Sequence, residues 1–396
     1  MESAAIAGTG RRALTFIFIS ILLDVMGAGL MMPVVPYIVR PYSADALTIG
    51  LLAVTFSVAQ FFASPLLGAV SDRHGRRQVL VISMFGASMG YALFGVGGAL
   101  WVFFLSRLIA GFTGGSLTAA QAYIADVSRP EDRAKNFGLV GAAFGLGFIL
   151  GPSIGGVLAK FSLTAPAWAS AGVALLTATF GWFVLPESLP PERRRPHPLH
   201  AGDFNPFRLL HKALNTPRLR ALFLGIFLTR FAHMGLQTNF AVYTLDRFKY
   251  TPSQNAVVFT VLGVTSTVVQ GFLIRRIAGR FSDRSLLLSG LAIMAVAFAA
   301  VAAATQGWML SPAIALLALG SGLVTPTLQS LISSAGTAEE QGLVFGANGA
   351  ITSITAILGP AWAGAVFDHV AYTAPYWSGA LLIVAAWWAM RRAELE

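Results

Sequence analysis

Long apolar segments recur along this 396-residue chain and constrain its fold more than any other feature. A helix of 18 or more apolar residues is long enough to cross the roughly 30 Å hydrocarbon core of a bilayer. The sequence therefore predicts an all-α membrane protein with twelve transmembrane helices; a β-barrel would instead show segments of about ten residues with alternating polarity. The predicted spans are residues 13–36, 48–70, 78–97, 101–126, 137–159, 165–185, 219–243, 253–274, 285–304, 308–333, 342–366 and 371–390.

The composition agrees with a membrane protein. Hydrophobic residues make up 56% of the chain and charged residues 11%, against about 25% charged residues in soluble domains. Mean hydropathy is +0.70. The chain has no cysteine, which excludes disulfides, cysteine-ligated metals and thiol catalysis. The first apolar run is too long for a cleavable signal and lacks a small-residue cleavage site, so we expect it to remain as the first transmembrane helix.

Lysine and arginine concentrate on one face of the predicted bundle. With the amino terminus inside, 21 of these residues lie on the cytoplasmic face and four on the opposite face. This asymmetry predicts an inner-membrane protein with both termini in the cytoplasm. It also accounts for the net charge of +10 through cytoplasmic loops near anionic lipid, so we expect the lipid bilayer rather than nucleic acid as a partner.

The chain is predicted to consist of two six-helix halves. Residues 187–218 are basic and rich in proline, and they form the longest break in the apolar pattern. They separate an amino-terminal bundle at 1–186 from a carboxy-terminal bundle at 219–396. A short amphipathic helix is expected at 206–214 within this cytoplasmic linker.

An internal repeat supports the division into halves. The segment NFGLVGAAFGLGFILGPSIGG (136–156) aligns with VFGANGAITSITAILGPAWAG (344–364) at a constant offset of 208 residues, so that Pro152 matches Pro360. Two parallel repeats around a site near the bilayer midplane are typical of secondary transporters that work by alternating access. A duplicated membrane protein without transport activity is the less favoured alternative.

The loop between the second and third predicted helices carries glycine, acidic and basic residues at close spacing. Its glycines permit a tight turn, and its arginines can bind carboxylates or lipid phosphates. This latch loop, GAVSDRHGRRQVL (68–80), resembles the G-x-x-x-D-R-x-G-R-R/K motif of the major facilitator superfamily, where it latches the two halves together. The resemblance assigns Asp72 to the amino-terminal end of helix 11 and places Asp126 among the loop arginines. The predicted latch residues are Gly68, Asp72, Arg73, Gly75, Arg76, Arg77 and Asp126.

Two further segments resemble motifs of the same superfamily. The segment FLSRLIAGFTGG (104–115) carries Arg107, and the arginine of the corresponding family motif is associated with proton transfer. The segment 138–156 matches the antiporter motif G-x8-G-x3-G-P-x-x-G-G, which in the family marks exporters. Its small residues are expected to let helix 5 pack closely against a neighbour. The matching positions are Gly138, Gly147, Gly151, Pro152, Gly155 and Gly156.

The resemblance spans the chain and is strongest for the twelve-helix drug:proton antiporters, which include the tetracycline-efflux proteins. The segment LLDVMGAGLMMPVVP (22–36) is similar to their first helix, with Asp24 in register. This implies a monomeric exporter of amphipathic small molecules, with the coupling proton and no other cofactor. The tetracycline exporters of this family also carry acids in helices 3 and 9, where this chain has Gly90 and the acid-free segment 290–302, so the resemblance leaves open whether tetracycline is a cargo.

Asp24 is the one charged residue of the first predicted helix. It falls roughly 16 Å from the inner edge of the bilayer, whereas Arg107 falls about 9 Å below the outer edge, so their depths differ by roughly 5 Å. Burial favours the protonated form of a carboxyl group, and a nearby guanidinium favours its charged form. We therefore predict that Asp24 carries the coupled proton and that Arg107 is its partner. The alternative is a static ion pair that fixes helix packing.

Polar residues on the inner helices predict the lining of a central cavity. Arg230 and His233 fall at a depth similar to that of Asp24, and His233 either titrates near neutral pH or stabilises helix packing. Two arginines against one acid leave this region positive, so zwitterionic, neutral or anionic amphiphiles are expected as cargo. Interhelical hydrogen bonding is the alternative role for each residue. The predicted cavity residues are Met26, Gln60, Gln121, Arg230, His233, Gln237, Asn239, Gln270, Gln329 and Asn348.

A second transport function stays open beside drug export. A carrier of a lipid or of an anionic or zwitterionic metabolite is favoured by Arg230 and by the missing acids of helices 3 and 9. A membrane enzyme is not predicted, because the six histidines are scattered and no HExxH motif occurs. The sequence therefore assigns no catalytic residue and no metal site.

Overall fold

The described part of the chain is helical and contains no β-strand. Within it, ten helices are long and apolar enough to cross a membrane, and a further helix, Leu100–Thr113, is apolar but shorter. These findings confirm the prediction of an all-α protein rich in membrane-spanning helices. The computed structural model describes residues 2–114, 116–128, 132–190, 192, 194, 211, 214–215, 217–277, 279–334 and 341–392.

Fifteen α-helices follow one another along the described chain. The first eight are α1 (Glu2–Met31), α2 (Val35–Val39), α3 (Ala46–His74), α4 (Arg76–Val96), α5 (Leu100–Thr113), α6 (Ser116–Val127), α7 (Arg133–Leu158) and α8 (Ala165–Val184). The remaining seven are α9 (Pro217–Phe248), α10 (Pro252–Val268), α11 (Ile274–Ile277), α12 (Asp283–Ala303), α13 (Leu310–Ser334), α14 (Gln341–His369) and α15 (Ala374–Arg392). A π-helical turn, Val269–Leu273, joins α10 to α11.

Two predicted spans differ from the observed helices. The first, expected over 13–36, ends at Met31 because Pro33 disfavours helical backbone at the preceding residue and removes an N–H donor. The fourth, expected as one helix over 101–126, is divided into α5 and α6 near Gly114. The Gly114 carbonyl oxygen accepts a hydrogen bond of 2.9 Å from Gln60 Nε2, which satisfies a backbone group exposed by the interruption.

Contacts divide the chain into two compact units. Unit 1 comprises residues 1–43 and 55–200, and unit 2 comprises residues 44–54 and 201–396. The division near residue 200 falls within the predicted linker at 187–218. Most of that linker lies outside the described residues, as does most of the amphipathic helix predicted at 206–214.

The first turn of α3 is held within unit 2 by a carboxylate. Asp368 Oδ1 accepts a hydrogen bond of 3.0 Å from the Ala46 N–H, and Asp368 Oδ2 accepts one of 2.7 Å from the Leu47 N–H. These N–H groups have no partner inside the helix, and a negative charge at a helix amino terminus is favourable. Gly50, one turn further, lies against the Pro360 carbonyl at a distance that leaves no room for a Cβ atom.

Both units contain the same helix pairings. In unit 1, α1 packs along α7 and α8, while α4 packs on α5 and α8; in unit 2, α9 packs along α14 and α15, while α12 packs on α13 and α15. A Cβ atom at Gly151 would lie 2.7 Å from the Met26 carbonyl oxygen, and one at Gly359 would lie 3.0 Å from Met234 Cβ. The two contacts are related by the same offset of 208 residues as the sequence repeat, as a structural duplication requires.

Candidate functional site

Asp24 lies in the membrane-spanning part of α1 and is half-buried. One turn further along α1, Gly27 lies against Tyr91: a Cβ atom on Gly27 would be 3.7 Å from Tyr91 Cε2 and 3.9 Å from the Tyr91 hydroxyl oxygen. Tyr91 is also close enough to Asp24 and to Arg107 for electrostatic interaction with both side chains. Tyr91 of α4 thus lies near both residues of the predicted Asp24–Arg107 pair, and the pairing itself stays a prediction.

Arg107 lies in α5 against two aromatic rings of α4. Its guanidinium carbon is 4.7 Å from the centre of the Phe94 ring and 5.9 Å from the centre of the Tyr91 ring. These distances are in the range of cation–π attraction. Two of its nitrogens, Nε and Nη2, are buried and have no hydrogen-bond partner among the described residues. Arg107 thus holds a buried positive charge with unused donors beside Tyr91 and Phe94.

Gly90 is the residue of helix 3 at which the resemblance to the tetracycline exporters leads us to expect an acid. A Cβ atom here would lie 2.9 Å from Ala110 Cβ and 3.1 Å from the Ser106 carbonyl oxygen. Both distances are shorter than ordinary van der Waals contact, so α4 and α5 approach each other too closely at this point for any side chain. The absence of the acid is therefore part of the helix packing of unit 1.

The glycines of the antiporter motif divide into two groups. Cβ atoms at Gly147 and Gly151 would lie 2.8 Å from Val25 Cγ1 and 2.7 Å from the Met26 carbonyl oxygen, and Gly155 faces the Leu30 backbone still more closely. These three glycines, spaced four residues apart, let α7 pack directly on α1. A Cβ atom at Gly138, in contrast, has no atom from another part of the described chain within 4 Å. The helix continues through Pro152 and Gly156 to Leu158.

In the latch loop, Gly75 is the one residue between the end of α3 and the start of α4, and its φ of 110° favours glycine. Arg76 forms ion pairs with Asp72 and Asp126, and its Nε atom lies 3.2 Å from Asp126 Oδ2. Neither Arg73 nor Gly68, two other predicted latch residues, is brought into this ion-pair cluster. The assignment of Asp72 to the amino-terminal end of helix 11 stays a prediction.

Glu187, just beyond α8, caps the amino terminus of α4. Its Oε1 atom accepts from the Arg76 N–H at 2.8 Å, and its Oε2 atom accepts from the Arg77 N–H at 3.3 Å. A Cβ atom on Gly75 would collide with this carboxylate. Arg77 also donates through Nη2 to the Trp182 carbonyl. Sequence reasoning missed Glu187, because it lies where the apolar pattern ends and resembles the start of a linker.

A second polar cluster lies in unit 2 between α9 and α14. Arg230 Nη1 donates a hydrogen bond to Thr352 Oγ1, which in turn donates to the Asn348 carbonyl oxygen at 2.8 Å. Asn348 Oδ1 and His233 Nδ1 are buried and have no hydrogen-bond partner among the described residues. The structure therefore places three predicted cavity residues near one another and adds Thr352, which the sequence did not single out.

The other predicted cavity residues are more dispersed. In unit 1, Met26 is half-buried in α1 and Gln121 is exposed in α6, while Gln60 donates to the Gly114 carbonyl. In unit 2, Gln237 is half-buried on α9. Asn239 is buried on the opposite side of α9 from Arg230, and neither of its amide atoms has a hydrogen-bond partner among the described residues. Gln270 is exposed in the π-helical turn, and Gln329 is exposed in α13.

Comparison with known proteins identifies the family. The model described as Major Facilitator Superfamily matches residues 17–280 and 248–395. The chain belongs to this superfamily. The predicted resemblance is thereby confirmed, and the chain is a multi-pass membrane protein of this transporter type.

Individual relatives cover nearly the whole chain. The class C tetracycline resistance protein of Escherichia coli is 36% identical over 364 residues, with 91% of each chain covered. Multidrug resistance protein 2 of Bacillus subtilis is 28% identical over 358 residues, with 89% of each chain covered. Among solved structures, the human organic anion transporter MFSD10 (TETRAN) is similar with a TM-score of 0.73 at 26% identity, covering 96% of this chain and 99% of that one.

Proposed function

We propose that this protein is a proton-coupled antiporter that exports amphipathic small molecules by alternating access. In this proposal it has twelve transmembrane helices in two six-helix bundles, works as a monomer in the inner membrane and keeps both termini in the cytoplasm. The coupling ion is the proton, and no other cofactor is needed. The names of its relatives, which are tetracycline and multidrug resistance proteins, support export of drug-like cargo.

The observation that carries this proposal is that Tyr91 interacts with both Asp24 and Arg107 inside unit 1. An acid within an apolar transmembrane helix is costly and usually functional. Protonation of Asp24 removes its negative charge and leaves the buried guanidinium of Arg107 without that counter-charge. A structural change that alters their separation, or cargo that interacts with either group, therefore changes how strongly Asp24 holds its proton.

The membrane potential makes such a proton step useful for export. Each proton that crosses along the field supplies about 2.3 kcal/mol per 100 mV. The direction of transport follows from the antiporter motif by resemblance. In α7 the glycines Gly147, Gly151 and Gly155 give a close, direct contact with α1, the helix that carries Asp24. Because these contacts are close, a movement of α7 would displace α1 as well.

Proton flux in proteoliposomes tests the proposal. A pH gradient is imposed across vesicles that contain the purified protein, and a pH-sensitive dye records proton flux after addition of cationic, neutral or anionic amphiphiles. We expect cargo-stimulated flux from the wild type and its loss in Asp24→Asn. The matched control is Asp132→Asn, which removes an exposed carboxylate from unit 1. Equal flux in both variants would remove Asp24 from the coupling role, and no flux with any cargo would refute antiport.

The same panel separates drug export from the alternative cargo class. A carrier of lipids or anionic metabolites would respond to anionic amphiphiles and ignore the cationic ones. Arg230 favours this alternative, since unit 2 places a positive charge at membrane depth. The similarity to the human protein MFSD10, an organic anion transporter, points the same way.

A further inference from the structure

We infer that unit 2 contains a binding subsite for an acidic group of the cargo, formed by Arg230 with Thr352 and flanked by Asn348 and His233. The inference deepens the proposed transport function and rests on it. It assigns the cargo to amphiphiles that carry a carboxylate or a comparably acidic group next to an aromatic body.

Arg230 provides the subsite with a positive charge. This residue lies near the middle of α9, a helix that runs from Pro217 to Phe248. A guanidinium at this depth of a bilayer is expensive unless it is paired or reaches water. Over the described residues of unit 2, the acidic side chains lie at or beyond helix ends: Asp45, Asp246, Asp283 and Asp368. Over the described residues, Arg230 forms no ion pair with any of these carboxylates, so its charge is available to an anionic ligand.

The second argument is the way in which Thr352 holds the guanidinium. The Thr352 hydroxyl gives its own hydrogen to the Asn348 carbonyl oxygen at 2.8 Å, so it can only accept from Arg230. That single bond fixes one nitrogen, Nη1. A guanidinium has five N–H donors in a planar fork. The remaining donors of Arg230 fit the two oxygens of a carboxylate, a geometry for which arginine is better suited than lysine.

The third argument is the pair of unused polar atoms beside the fork. His233 is one turn along α9 from Arg230, and Asn348 is one turn along α14 from Thr352, so each lies on the same helix face as its neighbour. His233 Nδ1 and Asn348 Oδ1 are both buried without a partner among the described residues. Buried polar atoms are rarely left unbonded. A ligand with a hydroxyl or N–H group next to its acid would satisfy Asn348.

The fourth argument is an aromatic surface next to the subsite. Phe227 lies one turn before Arg230 on α9, and its ring centroid is 5.6 Å from that of Phe231, which in turn lies 5.0 Å from the centroid of the Trp362 ring. Aromatic side chains beside a few placed polar groups are typical of small-molecule sites. They favour a ligand with a flat apolar body over a small inorganic anion.

Direct binding measurements test the inference without any transport step. The full chain is reconstituted in nanodiscs of phosphatidylcholine and titrated at pH 7 by calorimetry with 2-naphthoate, 2-naphthamide and 2-naphthylmethylamine. These probes share one aromatic body and differ in charge. We expect the wild type to bind the carboxylate at least about tenfold more tightly than the amide, as a charge-assisted hydrogen bond implies. The cationic probe should bind more weakly than both.

Three variants locate the effect. Arg230→Gln should lose about 10- to 100-fold in naphthoate affinity while changing amide affinity by less than about threefold. Thr352→Val should show a smaller loss for naphthoate, and it serves as the test if Arg230→Gln does not fold. Arg220→Gln is the matched control, because it removes an exposed arginine from the same helix, and it should bind like the wild type.

Anionic lipid is the other source of an acidic group. Repeating the titration in nanodiscs that contain phosphatidylglycerol separates the two sources. Unchanged naphthoate affinity supports a cargo subsite, whereas competition that disappears in Arg230→Gln would assign the subsite to a lipid phosphate and overturn the inference. A wild type that binds all three probes equally, or none of them, would also overturn it.

Failure of the subsite and failure of the proposed function give different results. Asp24→Asn should bind naphthoate normally and lose proton flux. Normal binding without flux in any protein would refute antiport and leave the subsite in place. Flux that survives in Arg230→Gln for anionic, neutral and cationic cargo alike would refute the subsite and leave antiport in place.

Discussion

Replacement of single glycines in α7 by alanine gives a sharp test of the packing of unit 1. In Gly155→Ala the new methyl group would meet the backbone of Leu30, with the carbonyl carbon and Cα both 3.0 Å away and the carbonyl oxygen closer still. Backbone atoms cannot turn aside as a flexible side chain can, so α1 and α7 must separate. In Gly141→Ala, in contrast, the methyl group has no atom from another part of the described chain within 4 Å.

The two variants share every effect except this contact. Each gains about 0.5–1 kcal/mol because alanine restricts the unfolded chain and favours a helix more than glycine does. Overpacking costs about 1–3 kcal/mol and applies to Gly155→Ala alone. The difference between the variants is therefore the overpacking cost itself. Gly141→Ala should be slightly more stable than the wild type, and Gly155→Ala should be less stable than the wild type by about 1–2 kcal/mol.

Thermal unfolding in one detergent, followed by tryptophan fluorescence, measures this difference as a gap of a few degrees in Tm. Gly138→Ala provides a second comparison. The antiporter motif includes both Gly138 and Gly155, so it predicts a similar effect of alanine at these two positions. The structure instead predicts that Gly138→Ala behaves like Gly141→Ala, because a Cβ atom at either position has no atom from another part of the described chain within 4 Å. A Gly155→Ala variant that melts at or above Gly141→Ala would show that α1 and α7 are not in the close contact described above.

Three other changes have defined outcomes. Glu187→Ala removes the acceptors at the start of α4 and should cost about 1 kcal/mol in thermal unfolding, whereas the exposed Glu192→Ala should cost almost nothing. Gly90→Asp should destabilise the protein by more than about 2 kcal/mol, because it adds both volume and a charge between α4 and α5. Size-exclusion chromatography should then show less folded protein, and a normal yield would contradict the close packing of α4 on α5. Tyr91→Phe keeps the ring beneath Arg107 but removes the hydroxyl, so we expect unchanged Tm with reduced cargo-stimulated proton flux; full flux would exclude the hydroxyl from coupling.

Much of the fold could be predicted from the sequence because it depends on local pattern. Apolar length gave the helices, and the 208-residue repeat anticipated the equivalent contacts of Gly151 and Gly359. The errors arose where a few residues outweigh hydropathy. Pro33 ends the first helix early, and Gly114 interrupts the fourth, although both segments are predominantly apolar.

The functional sites were predicted only in part, for a geometric reason. Spacing along a helix gives the depth of a residue, and depth alone paired Asp24 with Arg107. It does not give the rotation of a neighbouring helix, and this rotation is what brings Tyr91 close to both of them. Thr352 was missed in the same way, because a threonine in a helix usually bonds its own preceding turn, and only the packing of α14 on α9 shows that it also accepts from Arg230.

Under the proposed function, the duplication described above has a consequence for engineering. The glycine contacts are repeated in the two units, but the charged residues are not: 208 residues after Asp24 and Arg107 the chain has Ala232 and Ala315, and 208 residues before Arg230 it has Leu22. Unit 1 therefore carries Asp24 and Arg107, the proposed coupling residues, and unit 2 carries Arg230, the proposed cargo-binding residue. A change of cargo can therefore be sought by substitutions in unit 2 alone, with the energy-coupling residues of unit 1 left as they are.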